Sequence, residues 1–155
     1  MKAAWYTVAL TAAVAMPLTG QGRPLTVTGA QSLSFGTLLP GVPAVVSRTD
    51  AARSGQFAIQ GPHGTQAQLN FTLPSVLSGP GGATLPVVFG GGDAGYSDSQ
   101  NIGSQVGFDP RQGFVITFGQ QGRGSVFLGG TARPAPTQRA GSYTATITLN
   151  MAAFP

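Results

Sequence analysis

Within residues 143–151 every second residue is apolar: Tyr143, Ala145, Ile147, Leu149 and Met151. The residues between them are polar: Thr144, Thr146, Thr148 and Asn150. A period of two is the mark of a strand with one buried face. Shorter versions of the same pattern run along the chain. "SLSF" places Leu33 and Phe35 on one face, and "GQFAIQG" does so with Phe57 and Ile59. "QAQLNFTLP" places Ala67, Leu69, Phe71 and Leu73 on one face, and "GFVITFG" does so with Phe114, Ile116 and Phe118. "GSVFLGG" adds Val126 and Leu128, residues 42–48 and 83–89 read as further strands, and Leu25 with Val27 opens the series. Gly and Pro separate these runs. The pattern predicts about nine short strands and an all-β, immunoglobulin-like antiparallel β-sandwich. Residues 90–111 are the least patterned and are expected to form a long loop with at most one weak strand. Residues 131–141, "TARPAPTQRAG", form a Pro-stiffened connection into the final strand.

Residues 1–22 have a different layout. Lys2 is followed by an apolar run over residues 3–16 and then by a small, polar exit. This is the order of a secretory signal peptide, and the run is short of the roughly 20 residues that a membrane span needs. Cleavage is expected near Gly20 to Gly22, leaving one β-sandwich domain over residues 23–155. Contact with a membrane would then come only through the signal peptide before its removal.

Composition narrows the choice of function. Charged residues make up 8% of the chain, against roughly 25% in an average domain. Gly (24) and Pro (12) are abundant, which suits tight turns. The net charge is +4, but the arginines are scattered singly, and binding of nucleic acid needs clustered positive charge. No nucleic-acid partner is therefore expected. The chain has no Cys, so the domain must be held by packing and strand pairing alone.

Catalytic reagents are scarce. The only His is His63, in the turn-like "GPHG", and there is no Glu. Triad chemistry needs a base held beside a nucleophile, and nothing in the sequence supplies the pair. "GGGDAG" matches a phosphate-binding glycine pattern in form, yet no helix is predicted after it, as that motif requires. No enzyme activity, cofactor or metal site is expected. The acids of the long loop, Asp93, Asp98 and Asp109, together with Tyr96, are the candidates for ligand contact.

Two blocks carry a resemblance. "LSFGTLLPG" (residues 33–41) and the closing "AGSYTATITLNMAAFP" (residues 140–155) resemble a family of bacterial secreted domains of unknown function. That family is related to chaperone–usher pilin subunits and spore-coat-U-type proteins. Gly141 and Phe154 match the Gly and the penultimate aromatic of a pilin's last strand. The resemblance implies an incomplete immunoglobulin-like sandwich whose last strand, here Gly141, Tyr143, Ala145, Ile147, Leu149, Met151 and Phe154, is held by a periplasmic chaperone. Its groove would be filled by a neighbouring pilin-like subunit, with Leu25, Val27, Gly29 and Leu33 as the donor-like segment.

The expectation is an exported pilin-like or surface structural subunit, in the periplasm or at the cell surface of a bacterium, acting through strand edges in assembly or adhesion. The alternative is a complete secreted monomer that binds a ligand such as a glycan through residues 90–111.

Overall fold

The computed structural model describes residues 4–12 and 23–154. In chain order the strands are β1 (Ala4–Ala12), β2 (Thr26–Gln31), β3 (Ser34–Leu38), β4 (Ala44–Val46), β5 (Gly55–Gln60), β6 (Gln66–Thr72) and β7 (Val76–Ser78). After a 3-10 turn at Pro80–Gly82 come β8 (Thr84–Val88), β9 (Ala94–Ser97), β10 (Val106–Phe108), β11 (Phe114–Thr117), β12 (Arg123–Leu128), β13 (Gly130–Ala132) and β14 (Ser142–Ala153). Among the described residues there is no α-helix.

The strands form two sheets, and the chain is an all-β sandwich. One sheet runs β11-β6-β14-β7-β8-β13-β4, with β1 beside β14 and β3 beside β1. The other runs β10-β9-β12-β5-β2. Among the described residues pairing is antiparallel except between β1 and β14, which run parallel. The alternating residues of both sheets meet in one core. Leu69, Leu77, Leu85, Tyr143, Ile147 and Leu149 come from the first sheet, and Phe57, Ile59, Val126 and Leu128 from the second. At one end, aromatic rings from both sheets interlock. Phe71 lies edge-on to Phe57 with centroids 5.7 Å apart, and Phe108 stacks on Phe114 at 4.3 Å. Such pairs add to the value of area burial alone.

Residues 90–111 depart from the loop expected of them. They contain β9 and β10, a hairpin, and β9 lies inside its sheet between β12 and β10. All four residues of β9 are buried, so it shows no polar face to alternate with an apolar one. Its glycine has a steric reason. Gly95 pairs with Gly107 of β10, and the Arg48 side chain lies over both: a Cβ on Gly107 would stand 2.9 Å from Arg48 Nη2. Gln105 holds this arginine from its other end, its side-chain amide donating to the Arg48 carbonyl at 3.1 Å. The described residues hold more strands than the nine expected: the additions are β1, β9 and the three-residue strands β7, β10 and β13, which are too short to show a period.

Candidate functional site: the two edges of the last strand

β14 has twelve residues and no charge. Tyr143, Ile147, Leu149 and Met151 are buried, Ala145 is half-buried, and Ser142, Thr144, Thr146 and Asn150 are exposed. The alternation seen in the sequence is therefore the real division between core and solvent. Phe154 lies past the end of the strand and is 42% exposed, while its backbone N–H donates to the Gln66 carbonyl at 2.9 Å.

The entry to β14 is tightly built. Gly141 has a φ of 151°, a backbone region that favours glycine, and the Pro80 ring stands where a side chain would begin. The Tyr143 hydroxyl then donates back to the Arg139 carbonyl at 2.6 Å, and it accepts from Gln138 Nε2 at 2.7 Å. Gln138 Nε2 also donates to the Thr84 carbonyl at 3.1 Å, tying the connection to β8.

The two edges of β14 are closed very differently. One edge pairs with β6, from Thr148↔Thr72 to Ala153↔Ala67, and with β7 at Thr144↔Ser78. These partners precede β14 within the sandwich domain. Among the described residues the opposite edge pairs only with β1, in register from Trp5↔Ser142 to Ala12↔Leu149. The far side of β1 pairs with β3, from Ala4↔Leu38 to Thr7↔Ser34, and among the described residues β3 has no other strand partner. β1 thus fills a slot between β3 and β14. Its residues are those read as the apolar part of a signal peptide. The sequence signal that points to a strand here is the run Trp5-Tyr6-Thr7-Val8, four residue types common in strands.

The donor-like segment is used within its own fold. Leu25, Val27 and Leu33 are buried in the core, and β2 pairs with β5, setting Val27 opposite Ile59 and Gly29 opposite Phe57. In this structure the segment is part of the sandwich and not a free extension.

The candidate ligand residues do not converge. Asp93 accepts from the Gly90 N–H at 2.6 Å and closes its turn. Asp109 forms an ion pair with Arg111 at 2.9 Å and accepts from its N–H. The Arg111 side chain holds the Asp109 carboxyl below its usual range. Asp98 is exposed and Tyr96 is buried. Burial, and then the charge of Asp98, push the Tyr96 phenol up, and its hydroxyl has no hydrogen-bond partner. His63 is exposed beside a shallow recess that it shares with Arg23 and Gln120. Among the described residues there is no group of three or more His and Asp side chains placed to hold a metal ion.

No model of a known protein family matches the chain, and no curated protein matches it.

Proposed function

We propose that this chain is an exported, pilin-like structural subunit that acts through the Ser142–Leu149 edge of β14, in assembly or adhesion outside the cytoplasm. The single observation that carries this reading is the closure of that edge by β1 alone, a segment with the layout of a leader. Removing residues 1–22 would leave the backbone groups of this edge without a strand partner, above a buried apolar face. Such an edge is a template for β-augmentation. Proteins usually blunt exposed edges with charge or Pro, and β14 has neither. The partners that fit are strands of other chains, such as a periplasmic chaperone or a neighbouring copy. The protein is read as non-catalytic, with no cofactor.

The experiment is to express the full gene in a bacterium that processes leaders, recover the mature protein and measure its mass in solution and its thermal stability. Assembly, or co-purification with a strand-donating partner, is expected. A strictly monomeric, fully stable mature chain would favour the second reading, a complete secreted sandwich that binds a ligand such as a glycan. The observation that favours this second reading is the seating of Leu25 and Val27 in their own sheet.

A further inference from the structure

The parallel pairing of β1 with β14 carries an inference about how the slot is controlled. Two parallel strands cannot be joined by a tight hairpin and need a long crossover. Here the whole sandwich is the crossover, since Trp5 pairs with Ser142. β1 is uncharged and free of Gly and Pro, and it is hydrogen-bonded along both edges. Apart from Thr7 and Thr11 its residues are apolar, which is how the middle of a leader reads, while the run Trp5-Tyr6-Thr7-Val8 is of residue types common in strands. The same nine residues therefore meet two requirements at once.

We propose that Ala4–Ala12 is a built-in placeholder strand. While it is covalently attached, the slot between β3 and β14 is closed in cis and the chain stays monomeric. Cutting the chain between Ala12 and Arg23 turns the strand into a dissociable nine-residue peptide. The slot then accepts an uncharged, extended strand of another chain that runs in the same direction as β14. Loss of the leader and readiness for strand exchange are one event. The inference rests on the proposed role of the Ser142–Leu149 edge for its biological consequence, but the seating and release of β1 can be tested separately.

The absence of Cys from the chain makes a cross-linking test clean. Neighbouring strands lie about 4.8 Å apart, within the Cα separation that a disulfide spans. The full chain, purified unprocessed from the cytoplasm, would carry Thr7→Cys with Thr144→Cys, an in-register pair. A control would carry Thr7→Cys with Asn150→Cys, displaced by about 20 Å along the strand. The expected result is an intramolecular disulfide in the first variant and none in the control. Failure to cross-link above the control would overturn the placeholder, and so would disulfides that join two chains. In a parallel arm, a specific protease site is placed between Ala15 and Gly20, and uptake of a fluorescent AWYTVALTA peptide is measured before and after cutting. At least tenfold more uptake after cutting is expected, whereas equal uptake, including none in either state, would overturn the proposal. Failure here leaves the proposed function standing, because the assembly of the mature chain is measured without residues 1–22.

Discussion

The Tyr143 hydroxyl donates to the Arg139 carbonyl at 2.6 Å, four residues upstream. A tyrosine at the start of a strand that bonds back to the preceding connection is a hallmark of immunoglobulin-type sandwiches. In those folds the tyrosine-bearing strand has a further strand, the last of the domain, along its outer edge. Here β1 occupies the outer edge of β14, running parallel to it. β1 thus stands beside β14 where those folds place their last strand.

The bond also has a stability consequence. Tyr143→Phe keeps the buried ring and removes the donor to Arg139. We expect a loss of about 1 kcal/mol, the usual net value of an intramolecular hydrogen bond, read as a lower urea midpoint at unchanged m-value. Tyr143→Ala should cost about 3–5 kcal/mol through the cavity it leaves.

Tyr96 should behave in the opposite way. It is buried and its hydroxyl is unpartnered. Tyr96→Phe removes a polar atom that has no bond to lose, so at pH 7 the variant should match or exceed the parent in urea. At high pH the two should separate. Burial, and then Asp98, hold the folded phenol above its ordinary value. The neutral form is therefore favoured in the fold. The stability this provides is fully present below about pH 10, the unfolded value, and is lost as pH rises towards the folded one. Unfolding midpoints at pH 7 and above pH 10 should show a parent-specific loss that Tyr96→Phe abolishes.

Ile147→Asp places an unpaired carboxylate on the core face of β14, where Ile147 is fully buried. Burying an isolated charge costs far more than a domain's net stability margin, so no folded protein is expected by circular dichroism or proteolysis. Thr146→Asp is the matching control. It puts the same charge on the exposed face one residue away and should shift the midpoint by less than about 0.5 kcal/mol. Equal behaviour of the two variants would mean that the faces of β14 are assigned wrongly.

Gly79 packs against the Tyr143 ring: a Cβ there would stand 2.8 Å from Tyr143 Cζ and closer to other ring atoms. Its backbone is extended, with φ of −129°, so alanine meets no conformational penalty and the test is purely steric. Gly79→Ala should destabilise by about 1–3 kcal/mol, the usual range for overpacking. The effect should be non-additive with Tyr143→Ala in a double-mutant cycle.

The legible part of this fold was the part that alternates. Leu69 and Ile147 sit in strands whose opposite face is polar, Ile59 and Ile116 in strands whose opposite face carries Ala58 or Val115 beside polar residues, and all four are buried as the period of two requires. β9 was illegible for the same reason in reverse. Ala94, Gly95, Tyr96 and Ser97 are all buried, so there was no contrast to detect. β14 was visible residue by residue, from Tyr143 to Met151. Its partners were not, because pairing between Trp5 and Ser142 is set by the tertiary fold and leaves no local mark. Ala4–Ala12 was hidden by its double character, since an apolar run after one Lys has the form of a leader whether or not it also makes a strand.

The position of β14 also governs timing. Its residues are the last of this sandwich to leave the ribosome, yet they lie in the interior of the larger sheet, between β6 and β7 on one side and β1 on the other. That sheet has no closed form until Ala153 has been made. Non-local pairing of this kind is slow, and the growing chain has no finished domain to fall into along the way. The placement of the most regular strand thus keeps the sandwich open until its residues have been made.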